Sequence, residues 1–335
     1  MSRRPTLQDV SALAGVSAKT VSRVVNGDPA VAPATVERVK AAIQELGYMP
    51  NPVARSLRVG RDDAIGLVVE NLADPFMAEV ANAVEEIARE RGMFVVITSS
   101  GYAPENERPA VTGLSHRRVA GLIIIPTSGD HSYLGQSPVR LPAVFVDRPP
   151  IQHDSDTVLV DNEGGARMAT RHLIDHGHRR IAFIGDRPHV YTTRLRYQGF
   201  RATMQEAGVP IEERLIQVNA MEAQNSTDTT LALLDARNGP TAVISANARI
   251  AMGLVRALHL RERTDIAHVS FDDFPAAESL NPPVTAISQD PRRLGRRAAE
   301  LLFDRVDGGT GPPRRVVLPV QLIIRGSGEL PPRLD

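Results

Sequence analysis

TLQDVSALAGVSAKTVSRVVNGDPAVAPATVERVKAAIQELGYMPNPVARSLRVGR, residues 6–61, opens with two short helical patterns that meet at Gly15. In the first, Leu7, Val10, Leu13 and Ala14 recur at three- and four-residue steps as one apolar stripe. Thr6 is placed to cap it, with Asp9 three residues on as the partner of a capping box. Gly15 permits a sharp turn, and Ser17 caps a second helix whose Val21, Val24 and Val25 face the first. A third helix is expected from Pro33 to Gly47, burying Val36, Val39, Ile43 and Leu46. Helices this short bury little surface alone, so the three must pack on one another. This is the layout of a helix-turn-helix, which docks its second helix in the major groove of DNA.

The residues left outside by that packing are suited to nucleic acid. Lys19 and Arg23, four apart, project from one helix face. Either can reach a guanine O6/N7 edge, and Ala18 can touch a thymine methyl. Thr20, Ser22 and Asn26 are short polar groups for phosphate oxygens, and Thr6 and Ser17 join them at the helix N-termini. A small bundle with an ordinary solvated basic face is the alternative reading. The chain as a whole balances 39 Lys+Arg against 39 Asp+Glu. Residues 1–61 do not balance: nine basic side chains against four acidic ones leave +5, the footprint of a polyanion partner.

The stretches TLQDVSALAGVS, TVSRVVNG and NPVARSLR resemble the DNA-binding head of the LacI/GalR family of bacterial transcription regulators. The resemblance implies that residues 51–61 form a hinge helix when two subunits meet on an operator. Asn51 as N-cap and Pro52 at the first helical position permit such a helix. It also implies DNA contacts from Asn51, Ala54, Arg55 and Leu57, with Leu57 the apolar wedge that kinks the duplex from the minor groove. By composition alone the segment also reads as a polar linker. Ala32 stands where the family often has Ser, which weakens the cap of the third helix.

Beyond residue 61, apolar runs recur: AIGLVV (64–69), FVVIT (94–98), GLIII (121–125), AVFV (143–146) and VLV (158–160), then RIAFIG (180–185), TAVIS (241–245) and HVSF (268–271). Runs of this length buried on both faces belong to parallel sheets, and helical patterns alternate with them. The fold class expected is α/β, with two doubly wound parallel sheets behind an all-α head. The family resemblance adds a periplasmic-binding-protein-like core that crosses between lobes three times, near 158–162, 287–291 and 318–324. The domains are then 1–50 (head), 51–61 (hinge) and 62–335 (core). The N-lobe takes about 62–160 plus 291–318 and the C-lobe about 161–288 plus 322–330.

Ligands of open α/β sheets sit beyond the carboxyl ends of the strands. Asp74 and Phe76 follow AIGLVV, Asp147 and Arg148 follow AVFV, Asn247 follows TAVIS and Asp272 follows HVSF, while Thr192 and Arg196 begin the helix after RIAFIG. The resemblance implies effector contacts from Phe76, Arg148, Thr192, Arg196, Asn247 and Asp272, while Asp74 is a candidate by its strand-end position alone. Met221 stands where several sugar-binding relatives carry tryptophan. Arg supplies a fork of donors, Asp only acceptors and Asn both, a set suited to hydroxyls. Singly, Asp272–Asp273 also reads as a helix cap, Arg148 as a surface ion pair and Phe76 as core. With aromatics at 4 % and no Trp, a small or flexible ligand is expected.

His172, His176 and His178 have spacing for a metal, but a helix C-terminus ending at Gly177 explains them too. No catalytic constellation stands out, so no enzyme activity, cofactor or metal is expected. Zero cysteines, no apolar leader and no run of eighteen apolar residues suit a cytoplasmic protein with no membrane partner. No leucine heptads follow the core, so no added tetramerisation tail is expected. The sequence thus describes a homodimeric, effector-controlled regulator, most simply a repressor, on a pseudo-palindromic double-stranded DNA operator. The alternatives are a periplasmic solute-binding protein, or a corepressor-dependent regulator sensing a nucleobase.

Overall fold

In the computed structural model, Thr6 has an extended backbone and caps α1 (Leu7–Ala14). Its Oγ1 accepts from the Asp9 N–H at 3.4 Å, while the Asp9 carboxylate accepts from the Thr6 N–H at 2.7 Å, closing the capping box. Gly15, at φ 63°, turns the chain in the left-handed region. The second helix, α2, spans Ala18–Val25 and the third, α3, Pro33–Leu46. Ala32 provides no side-chain cap to α3. Val10, Ala14, Val21, Val39 and Ala42 form the buried centre.

Two expectations about this core change. Leu13 is 46 % exposed. At about 100° per residue, Leu7, Val10 and Ala14 share one arc of α1, whereas Leu13 falls roughly a quarter-turn beyond its centre. On α3, Val36, Ile43 and Leu46 are half-buried edges, and Ala42 takes the centre beside Val39.

The structure describes residues 5–25, 28–48, 63–127, 129–136, 141–218, 220 and 223–333. It divides into two units, Met1–Asp63 and Ala64–Asp335. Asn26, Asn51, Ala54, Arg55, Leu57 and Met221 lie outside the described residues.

The second unit contains two sheets. The N-lobe begins with β1 (Ala64–Val69), α4 (Pro75–Glu90), β2 (Phe94–Ser99) and α5 (Pro104–His116). It continues with β3 (Leu122–Ile124), the short α6 (Tyr133–Gln136), β4 (Ala143–Val146) and β5 (Asp156–Val160). The C-lobe holds α7 (Asn162–Asp175), β6 (Ile181–Gly185), α8 (Tyr191–Glu206), β7 (Ile216–Val218) and α9 (Ala223–Asp235). Then come β8 (Ala242–Ser245), α10 (Ala248–Leu260), β9 (Ala267–Phe271) and β10 (Thr285–Ser288). The chain ends through α11 (Pro291–Val306), β11 (Arg315–Leu318) and β12 (Gln321–Ile323).

Strand orders are β11-β5-β4-β3-β1-β2 and β12-β10-β9-β8-β6-β7, so the two lobes share one topology. Most of these strands are buried on both faces because helices cover both sides, as their near-continuous apolar runs require. The lobes exchange helices: α7, after β5, packs on α8, while α11, after β10, packs on α4 and the first sheet. One strand departs from an all-parallel pattern, since β12 pairs antiparallel with β10. Its direction follows from the path. Parallel β11 runs towards the carboxyl edge of the first sheet, so a two-residue link enters the second sheet at its own carboxyl edge. The carboxyl ends of both sheets therefore face one cleft.

Candidate functional site

On the head, the Ser17 Oγ accepts from the Thr20 N–H at 3.1 Å, fixing the start of α2. Ala18, Lys19 and Arg23 are exposed, and Thr20 and Ser22 are half-buried. Arg23 donates from Nε to the Asp28 carboxylate at 2.8 Å. That hydrogen bond raises the Arg23 pKa and lowers that of Asp28. Both side chains are in solvent, so the pair orients the guanidinium more than it stabilises the head. The sequence-predicted reading face is thus presented as one surface, with its capping residues at the helix starts.

In the second unit, Asp74, Phe76, Arg148, Thr192, Arg196, Asn247 and Asp272 all line one small inner chamber of about 50 Å³ between the lobes. Arg196 reaches it from α8, stacked 3.7 Å over the Phe271 ring. Its Nε donates to Asn162 at 2.8 Å, and Nη1 donates to the Ala246 carbonyl at 2.6 Å and faces Asp272 at 3.4 Å. Gln289 donates to the other Asp272 oxygen at 2.6 Å. Asn247 spends its oxygen on the Ile250 N–H, capping α10. Asp74 caps α4 through the Phe76 N–H at 3.0 Å. Phe76 is half-buried against the core and still borders the chamber.

Arg148 is no surface ion pair. It holds Glu70 with two parallel bonds of 2.6 and 2.8 Å and the Pro126 carbonyl at 2.9 Å. Asp147 lies 3.3 Å from its Nε. Asp272 is no helix cap either: it stands at φ 70°, and the neighbouring Asp273 accepts from the Phe274 N–H and pairs with Arg325. Asp147, at φ 68°, is its counterpart in the N-lobe. Each donates its N–H to the adjacent strand, Asp147 to Val158 at 3.0 Å and Asp272 to Ile287 at 2.9 Å. Left-handed non-glycine backbone at equivalent strand ends marks a place where geometry is held for a side chain's sake.

A larger outer chamber of about 540 Å³ adjoins the inner one, and the two share Glu70, Asp74, Arg148, Asp186 and Arg249. Tyr102 and Met252 also line the outer chamber. Burial raises the Asp74 and Asp186 pKa values against the pull of Arg249. Burial pushes Asp147 up to about 6, partly offset by Arg148 and Arg196. Two buried polar atoms of described lining residues accept or donate no hydrogen bond within the protein: Gln289 Oε1, and Arg148 Nε, which has only the ion-pair contact with Asp147.

Glu70, Tyr102, Asp186, Arg249 and Gln289 were missed as ligand candidates. Glu70 directly follows β1 and Asp186 directly follows β6, so the strand-end rule reaches both. Among the described residues no cluster is suited to a metal. His172 pairs with Glu329, His176 bonds the His172 carbonyl at 2.8 Å, and buried His178 joins Thr241 and the Leu330 carbonyl. No helix of the described residues is long and apolar enough to cross a membrane.

Comparison with known proteins adds a lineage to this geometry. A model of the bacterial regulatory proteins of the lacI family matches residues 6–51, and one of the periplasmic binding protein-like domain matches residues 170–328. The HTH-type transcriptional regulator CelR of Thermobifida fusca is 38 % identical over 97 % of this chain and 99 % of its own. The lac repressor dimer bound to operator and the anti-inducer ONPF superposes with a TM-score of 0.86 at 30 % identity, covering 97 % of this chain and 99 % of that one. A CelR–cellobiose complex superposes at 0.71 with 35 % identity, over 97 % of this chain and 100 % of that one. With similarity running through head and core alike, this chain belongs to the LacI family of DNA-binding bacterial transcriptional regulators.

Proposed function

We propose that the chain is a homodimeric repressor acting in the cytoplasm, whose heads bind the two halves of a pseudo-palindromic operator. Ala18, Lys19 and Arg23 read bases, while Thr6, Ser17, Thr20, Ser22 and Asn26 contact the backbone. Asn51, Ala54, Arg55 and Leu57 engage the centre of the site, Leu57 as wedge. The effector is a neutral sugar-like molecule in the interlobe cleft, held by Asp74, Phe76, Arg148, Thr192, Arg196, Asn247 and Asp272, with Met221 at its margin.

The observation that carries this reading is the convergence of polar side chains from both lobes on the joined chambers. A ligand contacting both lobes stabilises one closure state over another, which is what coupling to a second site requires. The outer chamber's volume lies in the range of sites for small organic ligands, larger than a small-ligand expectation needs. The sugar complex of a 35 % identical structure favours the same class.

Calorimetric titration against cellobiose, other oligosaccharides, ribose and purines tests the effector. A sugar is expected to bind and to change operator affinity measured by fluorescence anisotropy. Tight binding of a purine alone would replace the sugar with a nucleobase corepressor.

A further inference from the structure

Arg249 stands at the N-terminus of α10 in the C-lobe and reaches across the cleft. Its Nη2 donates to Asp186, in its own lobe, at 3.0 Å. Its Nε lies 3.9 Å from Asp74, which caps α4 in the N-lobe. Its guanidinium also sits 4.3 Å over the ring of Tyr102, which follows β2 in the N-lobe. Tyr102 is held at φ 61°, unusual for a bulky residue. One cation thus touches both lobes through two carboxylates and an aromatic face, at the boundary between the inner and outer chambers.

We propose that Arg249 is a latch that holds the lobes together by neutralising Asp74 and Asp186 and stacking on Tyr102. Two carboxylates from opposite lobes converge on one guanidinium, so its removal leaves like charges facing each other across the cleft. Both are largely shielded from solvent, with side-chain exposures of 14 % and 13 %, which keeps their interaction from being fully screened. Guanidinium–ring stacking adds attraction that does not depend on either carboxylate. Glu70 and Arg148, the other charged groups on this boundary, pair with each other within the N-lobe, and Arg148 adds an attraction to Asp186 across the cleft that is weaker than that of Arg249. Unlatching also bares the Tyr102 ring face to whatever enters the outer chamber. The latch rests on the reading of the two lobes as walls of an effector cleft, but it operates in the protein alone.

A cysteine-free chain allows the closure to be measured directly. Nitroxides at Glu105→Cys on α5 and His259→Cys on α10, both exposed, report the interlobe distance by pulsed electron resonance. The measurement uses full-length protein diluted with unlabelled chains and no ligand. Arg249→Met is expected to shift the distribution to longer distances, and adding Asp186→Asn to move it part of the way back. Tyr102→Leu, which leaves every charge in place, is expected to lengthen the distances by a smaller amount. An unchanged distribution in Arg249→Met would by itself overturn the latch. So would an opening on which Asp186→Asn has no effect at all, since the facing carboxylates would then contribute nothing to it. A wrong effector class leaves all of these outcomes untouched.

Discussion

Asp147 shows how a single side chain ties the cleft to conditions outside it. In the folded protein its carboxyl keeps a proton up to about pH 6, against near 4 in an unfolded chain. Between those values the folded state binds more protons, so this residue's contribution to stability falls as pH rises and is fully unfavourable above about 6. Asp147→Asn should therefore stabilise the core at pH 8 by on the order of 1–2 kcal/mol, with the gain fading below pH 5. Urea unfolding at the two pH values checks it; a gain that grows on acidification would reverse the assignment. Arg196 is the opposite case, a charge whose partners are all in place. Removing it strips Asp272 of a cation and Phe271 of its stacking partner, so Arg196→Ala should cost the core about 3 kcal/mol as well as the effector response. Operator binding by the intact fold should persist. A fully inducible mutant of unchanged stability would refute both roles.

Which residues were legible depended on how they are held. Arg148, Asn247 and Asp272 follow strands whose apolar runs are plain in the sequence, so their position could be reasoned from order alone. Arg249 and Tyr102 could not. Their importance comes from a reach between lobes that no local spacing encodes. Leu13 failed for a different reason: periodicity identifies candidates for a buried arc but not where the arc is centred, which the neighbouring helices decide.

At the scale of elements, capping and close approach do most of the shaping. The Thr6–Asp9 box anchors an eight-residue helix with few buried residues to hold it, so Thr6→Ala should lower head stability by about 1 kcal/mol. The loss should appear as earlier melting of the head's helical signal, with the core transition unmoved. In the core, Gly295 on α11 lies so close to α4 that a Cβ would come within 2.5 Å of the Val80 carbonyl, and Gly199 on α8 stands in the same relation to Glu163 on α7. Gly295→Val should push α11 off α4 and destabilise the core by several kcal/mol, on the order of 3. An unchanged melting temperature would show that the helix pair can separate freely. Long strands such as β1 and β6 were plain in the sequence because both of their faces are buried. β7, β11 and β12 are three- or four-residue strands near sheet edges with partly exposed faces, too short to show a period. The antiparallel direction of β12 belongs to the chain's path and not to its own residues.

At the scale of the molecule, the chain pairs a basic head of net +5 with an acidic remainder, which concentrates attraction to DNA where sequence is read. In the proposed function the cleft decides timing and the head decides place, with the exposed face of α2 carrying the second of these. Sequence-specific recognition by that face is measured by selecting genomic DNA fragments with purified full-length protein and sequencing them. A pseudo-palindromic motif should be enriched, and Arg23→Ala should lose preference at one base pair in each half-site, worth roughly 1–3 kcal/mol. Fragments captured without a shared motif, or a motif that Arg23→Ala leaves intact at every position, would contradict it.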